Sequence, residues 1–439
     1  MITNPQLMYD QVNAHFNNHF FDPSLPTLPA FIGDPSPLGK PITVAEVAKA
    51  PKKLNNNRAP GIDRISAELV KYGPVELHSC ICDILNEALQ KHQDLELGCG
   101  ILIALQKPGK DRGPVKNLRP VILLLIIRKL LSNIVLERIR PQYEQYISPT
   151  QSAYRSNRST ADIVWAHRFM ITKSMTWPIT LYITGLDLSA AFDTIRRDEL
   201  MTILAGIVGS DELRMIRLLL SNTTLEVRMK EATTNPFASN VGSPQGDAIS
   251  GVLFNIYLED ALRRVRAKLN ADTPSTEHSY ARPRLSMPKE LCYADDSDYP
   301  TLSTSHRDRI LDATYEILPQ RNLKVNQDKT EHTVVQQSGN TQWRKVRKLG
   351  SLLGDSEDIA KRKQLAIAGM RRLNDVWVRK DRTSLRKRLG LYKQLVKPLL
   401  TYNCGTWGLS KVDEQKLDTF HRRQLRRILG ISWPHRISN

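Results

Sequence analysis

The chain has 439 residues, of which 41% are apolar and 25% are charged, an ordinary composition for a folded protein of two or three domains. It contains neither an apolar run near the ~20 residues of a membrane helix nor a secretion signal, so we expect an intracellular protein without membrane contact. The five cysteines are scattered outside zinc-ligand spacing, so neither disulfides nor a zinc site is predicted.

The formal net charge of +18 is concentrated at one end of the chain. Residues 341–439 contain 24 Lys and Arg against 8 Asp and Glu, and the rest is nearly neutral. A segregated basic surface is typical of a protein that binds a polyanion, because each neutralised phosphate releases counterions. A merely solubilising surface is the alternative. Apolar residues recur among the basic ones at helical spacing, so amphipathic helices are predicted.

In chain order, the pattern first predicts a Pro- and Asn-rich linker over residues 1–45. Helical patterns follow, then two strands around a Gly- and Lys-rich hairpin tip, and a long amphipathic helix from about Ile126 to Tyr146. An apolar, β-branched strand then ends at Asp187. Two helices, a strand and a strong helix over residues 250–269 come next.

A polar insertion between Ala271 and Lys289 is predicted to be a surface loop. The stretch "ELCYADDSDY" then predicts a strand, a tight turn and a second strand. Two further short elements and the basic helices close the chain. The predicted fold class is α+β.

Aspartates lie at two predicted strand ends, Asp187 at one and the neighbours Asp295 and Asp296 at the other. Two such close charges repel by roughly 1–4 kcal/mol. If the two strands are neighbours in one sheet, the carboxylates converge at its edge, and Mg²⁺ prefers such oxygen ligands. Two ions about 3.5–4 Å apart would support phosphoryl transfer. For the Asp-Asp pair alone, an ordinary acidic turn is the alternative; Asp298 is expected to be a turn residue or a support rather than a ligand.

A series of motifs surrounds these residues in one order along the chain. In that order the motifs are "NNNRAPGIDRISAELVKYG", "QKPGKDRGPVKNLRPVILLLIIRKL", "QSAYRSNRSTADIV", "GLDLSAAFDTIRRDEL", "GSPQGDAISGVLFNIYLEDAL", "CYADDSD", "NLKVNQDKTE", "RKLGSLLG" and a tail containing "HRRQLRRILGISW". Together they resemble the reverse transcriptases of non-LTR, LINE-like retrotransposons. The family's endonuclease and Cys/His knuckle have no counterpart in the sequence, so we expect a fragment of a larger polyprotein.

The resemblance implies a right-hand polymerase fold with an antiparallel palm sheet and a basic, helical thumb. It assigns 1–45 to an N-terminal extension, 46–180 to the fingers, 181–340 to the palm and 341–439 to the thumb. The implied activity is RNA-directed DNA polymerisation, in which a primer 3′-hydroxyl is extended with dNTPs on an RNA template. The implied compartments are the nucleus and/or the cytoplasm, where the enzyme acts as a ribonucleoprotein.

The resemblance also assigns roles to single residues. Asp187, Asp295 and Asp296 would be catalytic and would hold two Mg²⁺ ions, with Mn²⁺ as an alternative. The residues expected to contact the nucleotide are Lys107, Lys110, Arg119, Phe192, Gln245 and Gly246. Among these, Phe192 would exclude a ribose 2′-hydroxyl. Outside this group, Lys329 would be a proton donor to pyrophosphate.

Two alternative functions remain open from the sequence. A catalytically decayed, RNA-binding remnant of a retrotransposon polyprotein would keep the basic surface without chemistry. An RNA-dependent RNA polymerase is less favoured, because a bulky Phe192 at the gate position would reject ribonucleotides.

Overall fold

The structure is a computed structural model that describes residues 5–107, 109–111, 113–229, 232–271, 287–339, 341–378, 383–431, 434–435 and 438. The surface loop predicted between Ala271 and Lys289 lies largely outside these residues. None of the described helices is both long and apolar enough to cross a membrane.

Runs of helices and runs of strands follow one another along the described chain, and nearly all strand pairs are antiparallel, which confirms the α+β class. The helices are α1 (Pro5–Phe20), α2 (Val44–Lys49), α3 (Ala67–Lys71), α4 (Val75–Lys91), α5 (Ile126–Tyr146), α6 (Thr160–Thr176), α7 (Arg197–Ala205), α8 (Ser210–Leu220), α9 (Ser250–Ala271), α10 (Thr304–Ile317), α11 (Asp355–Arg372), α12 (Asn374–Val378), α13 (Leu385–Leu391), α14 (Lys397–Thr401) and α15 (Lys411–Leu429). Helix α5 has the bounds predicted from the sequence.

The strands have between two and seven residues. They are β1 (Gly100–Gln106), β2 (Leu118–Leu124), β3 (Leu181–Leu186), β4 (Leu188–Ser189), β5 (Thr223–Met229), β6 (Ala232–Thr233), β7 (Phe237–Ser239), β8 (Leu291–Tyr293), β9 (Asp296–Thr301), β10 (Lys324–Val325), β11 (Glu331–Val335), β12 (Arg347–Lys348) and β13 (Ser351–Leu352).

The chain folds into two compact units. The first contains Met1–Pro149, Asp187–His278 and Ile310–Asp328, and the second contains Thr150–Leu186, Ser279–Arg309 and Lys329–Asn439. The fingers, palm and thumb boundaries assigned from the sequence stay a prediction, because these units are discontinuous in sequence and follow a different division.

The first unit contains a five-stranded sheet with the order β2-β1-β5-β6 and with β7 paired to β5. Strands β1 and β5 are parallel, whereas the other pairs are antiparallel. Leu102, Leu124 and Val227 are fully buried in its core. A separate two-stranded pair, β4 with β10, also belongs to this unit.

Residues 1–45 are more than the linker predicted from the sequence, because helix α1 supplies part of this core. Val12, Phe16 and Phe20 recur every four residues and therefore share one face of the helix. All three are buried in one cluster with Leu102 and Val227. Full burial of each phenylalanine contributes roughly 1.5–3 kcal/mol. The remaining positions are rich in Asn and His, which are weak helix formers and hide the helical pattern.

The second unit contains the four-stranded sheet β11-β3-β9-β8, in which every pair is antiparallel. These strands lie within the predicted palm, where an antiparallel sheet was expected. Trp343 and Leu353 pack in the same hydrophobic cluster as Leu181 and Ile183 of β3. The boundary predicted at residue 341 therefore divides one cluster.

A second cluster in this unit joins the C-terminal helices. It contains Met370, Trp377, Tyr392, Val396 and Ile428, which come from α11 to α15 and the turns between them. The basic residues of α15 alternate with these apolar positions, as the sequence predicted for amphipathic helices.

Candidate active site

Asp295 and Asp296 lie on a tight hairpin between β8 and β9, as the sequence predicted. Tyr293 pairs with Asp296, so Ala294 and Asp295 form the connecting turn. Ala294 has a φ of 56°, a left-handed conformation that is uncommon for a residue with a side chain. Such a conformation persists where surrounding contacts hold it.

The side chain of Gln151 supplies those contacts. Its amide oxygen accepts a hydrogen bond from the Ala294 N–H at 2.9 Å, and its amide nitrogen donates to the Ala294 carbonyl at 3.2 Å. Its backbone forms a parallel bridge to Cys292 of β8. The buried Gln151 therefore fixes the turn immediately before Asp295.

The two neighbouring carboxylates differ in exposure, because Asp295 is partly exposed and Asp296 is exposed. Burial and, after it, the negative charge of Asp295 raise the pKa of the half-buried Tyr154 hydroxyl. Tyr154 therefore stays a neutral hydroxyl near Asp295 at physiological pH.

The donor chemistry of this turn fits Mg²⁺, which binds one or two carboxylates and retains several waters. Both aspartates offer oxygen ligands within reach of solvent. Within the described ranges, no three His, Cys, Asp or Glu side chains are already grouped as metal ligands. The two-ion arrangement therefore stays a prediction.

Asp298 lies two residues after Asp296 on β9. It is therefore a strand residue and not the turn residue that was one of the two expectations for it. Only 6% of its surface is exposed. The Lys348 ammonium lies 2.8 Å from its Oδ1 and 2.9 Å from Glu331 Oε2. The Asp298 carboxylate is thus paired with a buried cation.

Gly185 makes this arrangement possible. It lies opposite Asp298 on one side and opposite Glu331 on the other. A Cβ at position 185 would lie 2.5 Å from the Lys348 ammonium and 2.7 Å from Asp298 Oδ1. The lysine therefore crosses the sheet in the space that the missing side chain leaves.

His167 of α6 approaches the same carboxylate from the other side. Its Nε2 lies 3.2 Å from Asp298 Oδ2, and its Nδ1 lies 2.8 Å from the Ile163 carbonyl oxygen. A carbonyl oxygen only accepts, so Nδ1 carries a proton. The buried cluster thus places the Lys348 ammonium between Asp298 and the more exposed Glu331, with the His167 imidazole against the second oxygen of Asp298.

Asp187 belongs to the first unit, whereas the Asp295–Asp296 hairpin belongs to the second. Asp187 directly follows Leu186, the last residue of β3, and Leu186 pairs with Ser297 of β9. The Asn326 N–H donates a hydrogen bond of 2.8 Å to the Asp187 backbone carbonyl, at the end of the β4–β10 pair. The joint action of Asp187 with the hairpin stays a prediction.

Phe192 and Gln245 are brought together in the first unit. The Ser243 N–H donates to the Phe192 carbonyl at 3.0 Å, and the Gln245 amide donates to the buried Asp193 carboxylate at 3.0 and 3.3 Å. A Cβ on Gly242 would lie 2.9 Å from the Asp193 Cα, so only glycine permits this approach. The Phe192 ring stacks on Phe254 at 4.3 Å.

Gly246 is exposed and has a φ of 114°, which glycine adopts without strain. The next residue, Asp247, forms a fully buried ion pair at 2.9 Å with Arg128 of α5. Arg128 also donates to the Leu97 carbonyl at 3.0 Å. This anchor fixes the loop that carries Gln245 and Gly246.

Lys107, Lys110 and Arg119 lie on the hairpin formed by β1 and β2. Arg119 pairs with Leu105, and Lys107 comes two residues after Leu105. Because side chains two residues apart in a strand share a face, Lys107 and Arg119 occupy one face of the hairpin. Lys110 and Arg119 are exposed. Pro108 and Arg112 of the predicted tip lie outside the described residues.

Lys329 is exposed at the end of a short turn, Gln327–Lys329, that precedes β11. Strand β11 pairs with β3. The role of Lys329 as a proton donor stays a prediction.

A comparison with known families identifies the chain. Residues 105–363 match the family model described as "Reverse transcriptase (RNA-dependent DNA polymerase)". The chain belongs to this reverse transcriptase family. The match includes β2 and the aspartate hairpin, and it confirms the polymerase fold expected from the resemblance.

Curated relatives come from retrotransposons, as predicted. The protein is 23% identical over 427 residues to the "Probable RNA-directed DNA polymerase from transposon X-element" of Drosophila melanogaster, with 90% of this chain and 44% of the relative covered. It is 26% identical over 281 residues to the "Transposon TX1 uncharacterized 149 kDa protein" of Xenopus laevis, with 61% and 21% covered. This reverse transcriptase chain spans less than half the length of these relatives. The resemblance to non-LTR retrotransposon enzymes is confirmed.

A similar solved structure is "Structure of telomerase from Candida Tropicalis in complexe with TWJ fragment of telomeric RNA". The sequence identity is 14%, the TM-score is 0.44, and the match covers 76% of this chain and 57% of that one.

Sequence reasoning missed several residues that shape this reverse transcriptase site. Gln151 and Asp193 lie inside recognised motifs but received no role. His167 and Lys348 are distant in sequence from Asp298, and no spacing rule connects them. The available signal was Gly185, a glycine inside an apolar strand, which often marks close approach of another group.

From the buried ion pair of Asp298 with Lys348 we predict that the folded protein loses stability in acid. Burial alone would raise the pKa of Asp298, but His167 and then Lys348 hold it below its usual range. The ion pair therefore stabilises the fold above about pH 3.9, the unfolded value, and this stability is lost as the pH falls through the folded pKa. We expect Asp298→Asn to cost roughly 3–5 kcal/mol at pH 7, because the buried Lys348 ammonium loses its buried partner. The difference from wild type should shrink at lower pH, as measured by urea unfolding.

Glu331→Gln is the matched control. It removes the other carboxylate of Lys348, but the Glu331 side chain is 57% exposed. Glu331→Gln should lower the free energy of unfolding by less than about 1 kcal/mol. Equal costs for the two variants, or a difference for Asp298→Asn that does not change with pH, would contradict the assignment.

Proposed function

We propose that this chain is an RNA-directed DNA polymerase that extends a DNA primer with dNTPs on an RNA template. The observation that carries the proposal is the β8–β9 hairpin, which places Asp295 in its turn and Asp296 at the start of β9, both within reach of solvent. Two carboxylates held side by side on a fixed turn fit the divalent ions that phosphoryl transfer requires. Asp187 is proposed to act with them.

Asp187, Asp295 and Asp296 would hold the divalent ions, Mg²⁺ or Mn²⁺. Bound ions of this kind activate an attacking hydroxyl and stabilise a leaving oxygen. In the reaction, the primer 3′-oxygen forms a bond to the α-phosphorus of the dNTP while the bond to the bridging oxygen breaks. Pyrophosphate leaves, and Lys329 is proposed to give it a proton.

The first unit would supply the contacts to the nucleotide. Lys107, Lys110 and Arg119 offer cations for the triphosphate, and a guanidinium suits bidentate phosphate contact. Phe192 would pack against the deoxyribose where a 2′-hydroxyl would clash. Gln245 and Gly246 would line the nucleotide and the template base.

The basic C-terminal helices are proposed to bind the template-primer duplex. Lys363 of α11 lies in one groove with Lys416 and Arg423 of α15. Burial and, after it, the positive charge of Lys416 lower the pKa of Lys363, and the carboxylate of Asp413 offsets this repulsion only in part. A phosphate backbone would relieve this repulsion.

We propose that the chain acts with its template as a ribonucleoprotein in the nucleus and/or the cytoplasm. Support comes from its basic charge and its retrotransposon relatives. Cell fractionation followed by immunoblotting tests this location, and recovery with membranes alone would contradict it.

Asp295→Asn tests the catalytic carboxylate. We expect this variant to lose primer extension on RNA with dNTPs and Mg²⁺ by a factor of at least about 10³, because a neutral amide cannot replace a charged metal ligand. Affinity for the template-primer should change by less than about threefold. Gel-based extension and fluorescence anisotropy measure the two properties.

Asp308→Asn is the control, because Asp308 is an exposed aspartate paired with its neighbour Arg307. It should leave extension unchanged. A wild-type chain that binds template-primer but extends nothing would instead support the decayed RNA-binding remnant.

Phe192→Val tests the choice between deoxyribose and ribose. The smaller side chain leaves room for a 2′-hydroxyl, so rNTP incorporation relative to dNTP incorporation should rise by on the order of tenfold or more. Single-nucleotide kinetics with dCTP and CTP measure the ratio. Efficient use of CTP by the wild type would support an RNA-dependent RNA polymerase.

Lys416→Gln with Arg423→Gln tests the basic groove. Loss of two phosphate contacts should reduce the slope of log affinity against log salt by about 1.4–1.8, because each contact contributes about 0.7–0.9. Lys91→Gln is the control, since Lys91 lies outside this region and pairs with Glu87. An unchanged slope in the double variant would exclude the groove as a phosphate contact.

A further inference from the structure

The N-terminal helix α1 reaches the residues that surround Gln245. Its buried face anchors it in the first unit through Phe16 and Phe20. Its end is fixed as well, because the Asn240 N–H donates to the Phe20 carbonyl at 3.1 Å. His19 lies in this last turn, so its position is set by the packing of the helix.

His19 and Gln245 share one carboxylate. The His19 Nε2 lies 3.0 Å from Asp193 Oδ2, and the Gln245 amide nitrogen lies 3.0 Å from Asp193 Oδ1. Asp193 is only 5% exposed, and its backbone is held against Gly242. The orientation of the Asp193 carboxylate therefore depends on its hydrogen bonds to His19 and Gln245.

The shared carboxylate determines how the Gln245 amide is oriented. An ionised carboxylate only accepts hydrogen bonds, so the NH₂ group of Gln245 faces Asp193. The amide oxygen of Gln245 then points away from Asp193 and can accept a hydrogen bond from a ligand. Rotation of Asp193 would free the amide to turn and to present its donor side instead.

We propose that His19 is a positioning residue for nucleotide binding: it holds Asp193 so that Gln245 presents its amide oxygen to the incoming nucleotide. The N-terminal helix thereby contributes to nucleotide affinity without touching the nucleotide. This inference rests on the proposed polymerase function and on the nucleotide contact of Gln245.

The test compares two variants of His19 in steady-state incorporation of a single dNTP on an RNA template. His19→Ala should raise the KM for the dNTP about tenfold, as expected for loss of one hydrogen bond to a charged group, with kcat within about twofold. His19→Gln keeps a donor near the position of Nε2 and should restore most of the affinity.

Asn13→Ala is the matched control for the docking of α1. The Asn13 side chain accepts a hydrogen bond from Thr234 at 3.0 Å, so this variant weakens the helix contact away from Asp193. It should lower the melting temperature and leave the KM unchanged. If Asn13→Ala and His19→Ala raise the KM equally, His19 only anchors the helix and the proposal is wrong.

A double-mutant cycle with Gln245→Ala tests whether His19 acts on nucleotide binding through Gln245. In the Gln245→Ala background, His19→Ala should have no further effect on the KM, because both changes remove the same contact. Independent, multiplicative effects would overturn the proposal. A wild-type chain without primer extension would instead overturn the polymerase function, whereas an active wild type with an unchanged KM in His19→Ala overturns this inference alone.

Discussion

The antiparallel register between β3 and β9 is the constraint on which the candidate site depends. It sets Gly185 opposite Asp298 and Leu186 opposite Ser297. A shift of one residue would turn every side chain of β9 to the other face of the sheet. Asp298 would then lose Lys348, and Asp296 would turn away from its exposed face. One strand pairing therefore sets both the buried ion pair and the exposed carboxylate.

The buried ion cluster and the exposed aspartates have opposite electrostatic environments on the same strand. Asp298 is paired with the buried Lys348 ammonium, whereas Asp296 stays exposed two residues earlier. Charge is tolerated at the exposed end because water or a cation can solvate it, but burial of an uncompensated carboxylate is costly. The strand thus separates a buried structural carboxylate from an exposed one at its end.

The sequence predicted elements whose signals are local. The apolar periodicity of α5 and the strand-turn-strand pattern of the aspartate hairpin both appear in the structure with the expected bounds. The interactions that were missed are non-local. His167 and Lys348 meet Asp298 only after the sheet has formed, and His19 meets Asp193 across more than a hundred residues. Helix α1 was missed because polar residues masked the spacing of Val12, Phe16 and Phe20.

Helix α1 also covers one face of the five-stranded sheet. Val12, Phe16 and Phe20 pack over strand residues such as Leu102 and Val227, which are fully buried. Without the helix, these apolar strands would be open to solvent. An exposed apolar sheet surface promotes self-association and aggregation. Retention of the N-terminal segment therefore bears on the colloidal behaviour of the protein as well as on its fold.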